Sequence, residues 1–251
     1  MRTLVLVSVV FLGCGDDGGG AGTDAAPTVD SSLLPIDAPA VDAPSAPAMI
    51  TLTGRATARA ITGTQPVADA TIAAYRSSDE ATAVATTTTD AQGNFTLTVA
   101  TGGTALEGFL KATKANHATT YLYTPEPIAA DTANVPINML TTGNYGTLYT
   151  LTQVQEGANT GVVAMVVTDA NDMPVPGATI TSTPAGTYRY NGNGGLPNAS
   201  ASQTAADGTA YVMNAAPGPM TLDAAKAGST FRANTVKVFP ESLTTTLIIP
   251  Q

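Results

Sequence analysis

The heptapeptide Pro66-Val67-Ala68-Asp69-Ala70-Thr71-Ile72 returns as Pro174-Val175-Pro176-Gly177-Ala178-Thr179-Ile180, with five of seven residues unchanged. A frame kept twice constrains the fold strongly, because whatever unit the chain builds around it is built twice. Pro66 and Pro174 end a loop without needing a backbone donor, Val67 and Val175 enter a core, and Ala-Thr-Ile starts a strand. Each copy then has a glycine for a tight turn, Gly93 or Gly208, followed by an aromatic residue, Phe95 or Tyr211. The frame holds no nucleophile, base or ligand set, so its role is structural.

The surrounding signals recur in the same order. "MITLTGRA" alternates as a strand, "ATIAAY" follows the first frame, and Phe95, Leu97 and Val99 alternate after a turn at Asp90 to Gly93, a hairpin signal. "NVPINML" closes the first copy with Val135, Ile137 and Met139 on one side. The second copy runs "GVVAMVVTD", a turn at Asn171 to Pro174, "ATITST", "TAADGTAYVMN" and "TTTLIIP". Abundant Thr, Val, Gly and Pro suit strands and turns rather than long helices. Between the copies, Tyr145, Leu148, Tyr149 and Thr152 fall at helical spacing, with Gly157 as a stop. The expected architecture is all-β: two tandem immunoglobulin-like or prealbumin-like β-sandwiches over 49–141 and 160–251. A connector over 142–159 holds a short helix whose apolar face packs on a sandwich.

The motifs resemble the carboxypeptidase regulatory-like, or transthyretin-like, β-sandwich family. There "P-V-x-G-A-x-V" leads into a strand and "T-D-x-x-G-x-F/Y" opens a later hairpin. Pro174-Val175-Pro176-Gly177-Ala178 fits the first motif, and Thr89-Asp90-Ala91-Gln92-Gly93-Asn94-Phe95 fits the second. Asp69 stands where the first copy should have glycine, Ala205 replaces the aspartate of the second copy, and Tyr211 lies one residue late. Family members that hydrolyse ureides rely on several histidines, which this chain lacks. Collagen-adhesin-type sandwiches form Lys-Asn isopeptide bonds, but both candidate first strands here lack lysine.

The N-terminus reads as an address. Arg2 precedes an apolar run from Leu4 to Leu12, too short for a lasting transmembrane helix, and Phe11-Leu12-Gly13-Cys14 resembles a bacterial lipobox. Residues 1–14 are therefore expected to be a lipoprotein signal peptide ending at Cys14, the lipidated residue, which anchors the chain to a membrane. Gly15 after the cysteine is compatible with outer-membrane sorting by resemblance to enterobacterial rules. Residues 15–48, with six Asp and no basic residue, form an expected disordered Asp/Ala/Pro/Gly linker reaching about 100 Å at full stretch.

Chemistry is scarce. The formal net charge is −9, with 19 acidic and 10 basic residues, so nucleic acid is not an expected partner. His117 is the sole histidine and Cys14 the sole cysteine, which rules out zinc sites built from His and Cys clusters and any intrachain disulfide. No nucleophile-elbow sequence occurs, so no enzyme activity, catalytic residue or cofactor is expected. Asp169, Asn171 and Asp172 in "TDANDMP" offer oxygens to calcium but equally make a turn. The Gly- and Asn-rich stretch 184–198 is expected to be an exposed loop, either an irregular hairpin whose tyrosines cover the sandwich edge or a candidate ligand-binding site formed by Tyr188, Arg189, Tyr190, Asn191 and Asn193. The expected protein is a non-catalytic, lipid-anchored envelope lipoprotein in a structural or protein-interaction role, facing either the periplasm or the surface. The alternative is a carbohydrate-binding module using that loop, although the chain has no Trp for sugar stacking.

Overall fold

The computed structural model describes residues 45–60 and 63–251. The signal peptide, Cys14 and all but the last four residues of the expected linker lie outside them. The first copy contains β1 (Met49–Ala60), β2 (Gly63–Pro66), β3 (Thr71–Arg76), β4 (Asp79–Thr88), β5 (Asn94–Ala100), β6 (Gly108–Thr113), β7 (Thr119–Tyr123) and β8 (Thr132–Met139). Helix α1 (Thr142–Thr152) follows. The second copy contains β9 (Gly161–Val167), β10 (Thr179–Thr183), β11 (Thr187–Asn191), β12 (Pro197–Asn198), β13 (Thr209–Ala215), β14 (Gly218–Ala225), β15 (Asn234–Val238) and β16 (Ser242–Ile248).

Each copy is a β-sandwich. In the first, β1 pairs antiparallel with β5 and β2 and parallel with β8, and this sheet packs on β7-β6-β3-β4. In the second, β9 pairs antiparallel with β13 and parallel with β16, facing β10-β14-β15. The alternating burial of β5 places Phe95, Leu97 and Val99 in the first core. The turn before them does not close a hairpin, however: β4 and β5 belong to different sheets, so Asp90 to Gly93 carries the chain across the sandwich.

The repeated frame is held the same way in both copies. Buried Thr89 donates its hydroxyl to the Val67 carbonyl (2.6 Å) and accepts the Ala70 N–H (2.8 Å). Buried Thr204 donates to Val175 (2.7 Å) and accepts from Ala178 (2.9 Å). Gly93 and Gly208 close the same knot, at φ 79° and 64°, where a Cβ would lie 2.4 Å from the Ala56 carbonyl oxygen and 2.6 Å from that of Val167.

The copies are also joined by more than their connector. β7 pairs parallel with β16, Thr119 opposite Ser242 through Leu122 opposite Thr245, so one nine-stranded sheet runs β12-β11-β13-β9-β16-β7-β6-β3-β4. β6 divides its side chains by the period-two rule of a strand: Leu110 and Ala112 enter the first core, while Phe109 enters the second with Tyr121 and Tyr123 of β7. Phe239, at the β15–β16 turn, stacks on Tyr121 with ring centroids 4.0 Å apart. Lys237 pairs with Glu80, and Arg232 with Glu126 at 2.8 Å.

Helix α1 buries Tyr145, Leu148, Tyr149 and Thr152 against the outer face of the sheet, where Val162, Tyr211, Met213 and Leu243 receive it. Thr141 caps its start by accepting the Asn144 N–H. It ends at Gln153 (φ 52°) rather than at Gly157, because a left-handed residue already terminates it there. Gly157 instead donates its N–H to Asn214.

Candidate functional site

The segment 184–198 is the irregular hairpin of the two readings, and its first half is a regular strand rather than a loop. β11 pairs with β13, Tyr188 opposite Val212 and Tyr190 opposite Ala210. The Gly-rich half after it doubles back, bringing Pro197 and Asn198 onto Asn191 and Tyr190 as β12. The Tyr-Arg-Tyr-Asn run thus obeys strand alternation, which the Gly and Asn content of its neighbours masked.

Its inward-facing members cross the sandwich. Tyr190 is buried, and its hydroxyl accepts the N–H of Ile180 in β10 at 3.1 Å. The Tyr188 hydroxyl accepts the N–H of Ser182, two residues along, at 2.9 Å. Partial burial pushes the Tyr188 phenol up, but the hydrogen bonds from Ser182 and Gly186 outweigh it, leaving the phenol below its ordinary value.

The outward-facing members are equally engaged. Arg189 donates its Nε–H to the carbonyl of Thr152 at 2.9 Å, setting a cation at the negative C-terminal end of α1. Asn191 is 3% exposed. It donates to Asp207 (2.6 Å) and accepts the Tyr211 hydroxyl (3.0 Å). Burial, followed by the Asp207 charge, pushes the Tyr211 phenol up to about 12. Of the five residues named from sequence, Asn193 alone is exposed. The structure gathers Tyr188, Arg189, Tyr190 and Asn191 on one strand, with the polar groups described above turned to intramolecular partners.

The calcium candidate is an Asx turn. Asp169 Oδ1 accepts the N–H groups of Asn171 (2.8 Å) and Met173 (3.0 Å), bonds that hold its carboxyl below the ordinary value. Asp172 occupies the left-handed region at φ 59°. Asp90 forms the matching turn in the first copy, accepting from Gln92 and Asn94. Among the described residues no three His, Cys, Asp or Glu side chains gather as a metal set.

His117 donates its Nδ1–H to the Ala115 carbonyl (3.0 Å) and borders a cleft of about 410 Å³ with Arg59, Asp69, Lys114, Thr141 and Asn144. A second, open cleft of about 580 Å³ is lined by Asp223, Lys226, Phe231 and Gln251. In the first cleft the Thr141 hydroxyl accepts the Asn144 N–H, Asp69 pairs with Lys114 at 3.7 Å and the His117 ring is bonded to Ala115, so the three are engaged with other partners rather than with one another. The side chains whose roles sequence reasoning missed are Thr89, which it read only as part of a motif, and Thr204, Asp207 and Phe239. For the threonines a signal existed, since both stand four residues before the turn glycine.

No protein-family model matches the chain, and no curated protein does. Among solved structures, the Bacillus anthracis TIE protein aligns with 80% of this chain at 12% identity and a TM-score of 0.27, and the chain spans 34% of that protein. The shaft pilin SpaA from Lactobacillus rhamnosus GG aligns over 81% of this chain and 98% of its own, at 14% identity and a TM-score of 0.26. GBS52, the minor pilin of Streptococcus agalactiae, aligns over 80% and 96%, at 13% identity and a TM-score of 0.26. Overlaps this loose carry no argument, and the sandwich architecture rests on the strand pairing itself. Among the described residues no helix is long and apolar enough to cross a membrane.

Proposed function

We propose that the protein is a non-catalytic lipoprotein of the bacterial cell envelope, anchored through Cys14 and presenting two carboxypeptidase regulatory-like sandwiches as a rigid spacer or protein-interaction body. The observation that supports it most is the β7–β16 seam. A continuous sheet backed by shared aromatic packing turns two small domains into one body, which suits transmitting position or force better than opening around a substrate. The use of the strongest polar side chains in internal bonds points the same way. The anchor rests on the sequence from Arg2 to Cys14, and outer-membrane sorting on Gly15.

The test is acylation of the full chain in a bacterial host with an alkynyl fatty acid, with Cys14→Ser beside it. Label on the wild type alone, recovered with outer membranes, is the expected result, and an unlabelled wild type would sink the anchor. The purified acylated protein is then offered polysaccharides and peptidoglycan. The tyrosine hydroxyls and the Asn191 amide are already bonded, so no saturable binding is expected. Saturable binding would reinstate the glycan-binding reading.

A further inference from the structure

The two copies differ in the placement of one strand. In the first, β3 has β6 on one side, with Ile72 opposite Ala112, and β4 on the other, with Ile72 opposite Thr87 and Ala74 opposite Ala85. In the second, β10 has β14 on the matching side, with Ile180 opposite Ala224, and among the described residues no strand on the other, where the Thr204 backbone bonds only Gly177 and Ala178, just before β10 begins. β11 follows β10 as β4 follows β3, yet it lies on β13 in the opposite sheet. Only residues 184–186 connect β10 to β11, a length typical of antiparallel neighbours.

From its place on β13, β11 still serves the β10 edge. The N–H groups of Ile180 and Ser182, aligned by the shared frame with Ile72 and Ala74, are those bonded by the Tyr190 and Tyr188 hydroxyls. Two side-chain oxygens thus stand where a neighbouring strand's carbonyls would. Were the hydroxyls lost, Ile180, itself 2% exposed, would keep a buried donor without a partner, which burial penalises heavily. Pairing with a strand would satisfy it again. On its other face β11 is held by the Arg189 bond to α1 and the Asn191 bonds to Asp207 and Tyr211.

We propose that β11 is a sheet-switching strand: Tyr188 and Tyr190 latch it on β13, and its second place is along β10, where β4 stands in the first copy. The device is independent of the envelope role and is set by two hydroxyl groups.

The test is Tyr188→Phe/Tyr190→Phe in the full chain, followed by amide exchange and through-space contacts measured by NMR. The expected result is loss of the Tyr188–Val212 cross-strand contact, new contacts between β10 and residues 187–190, and exchange at Ile180 and Ser182 within about tenfold of wild type. Retained 188–212 contacts with fast exchange at Ile180 and Ser182 would reduce the hydroxyls to edge caps and overturn the switch. A dimer with slow amides and β11 still on β13 would give the edge to a second copy and overturn it equally. Arg189→Ala/Asn191→Ala loosens the opposite face with both tyrosines intact, and it decides the matter should the first variant fail to fold. It is expected to show the same β10–β11 contacts as a minor form, and their absence there refutes the proposal.

Discussion

Thr89 and Thr204 do at the scale of one residue what the repeated frame does for the fold. Each hydroxyl bridges a carbonyl and an N–H of the chain entering the core, and each is buried where water cannot replace it. Thr89→Val or Thr204→Val keeps the shape and leaves both backbone groups unpaired, so each is expected to cost about 1–3 kcal/mol in urea unfolding. The serine variants, which keep the hydroxyl, should cost less. The frame's prolines, valines and turn glycines were legible in the sequence because their backbone roles are local. The threonine bonds were not, since each threonine stands 19 to 29 positions from the groups it bonds.

At the scale of elements, legibility follows how many faces a strand buries. β5 covers one face, and its alternation shows in the letters. β9 is apolar throughout because Val163, Met165 and Val167 fill the second core while Val162 and Ala164 lie under α1, and a continuous run marks a strand covered on both sides. β11 was legible only as part of an irregular hairpin with tyrosines on the sandwich edge, while its regular pairing with β13 and the bonds of Arg189 and Asn191 were masked by its Gly-rich neighbours. The turns were legible as turns but not as arches between sheets. Three of the described turns and strand starts depend on an aspartate whose carboxyl lies below its ordinary value: Asp79 first through Thr82, Asp90 first through Asn94, and Asp169 through Asn171. A depressed folded-state value gives stability that is present above the unfolded value near 3.8 and is lost as pH falls through the folded one. The melting temperature should therefore hold from neutral pH to about 4 and decline below it. Asp90→Asn/Asp169→Asn, which keeps the acceptor oxygen without the charge, should make that decline shallower in calorimetry.

For the whole molecule the question is why two sandwiches form one body. Neither the β7 nor the β16 sequence announces the other, since the seam pairs residues 119–122 with 242–245 and its threonines suit any strand. Once paired, the seam is reinforced from the sandwich interior. Thr246 donates to the Tyr123 carbonyl at 3.0 Å, and Phe109, Tyr121 and Tyr123 of the first copy help wall the second core. Phe239 reaches back onto Tyr121 and Phe109, at centroid distances of 4.0 and 6.0 Å. The two ion pairs across the joint, Lys237–Glu80 and Arg232–Glu126, are partly exposed and add little by comparison. Cooperativity should thus depend on aromatic packing more than on charge. Phe239→Ala removes a half-buried ring from the joint and is expected to cost about 2 kcal/mol. More tellingly, the wild type is expected to melt in one calorimetric transition, and Phe239→Ala should split it into two, as each sandwich begins to melt by itself. Glu80→Gln/Glu126→Gln, which cuts only the ion pairs, should leave one transition. A single sharp transition in Phe239→Ala would place the coupling in the β7–β16 ladder rather than in the rings behind it.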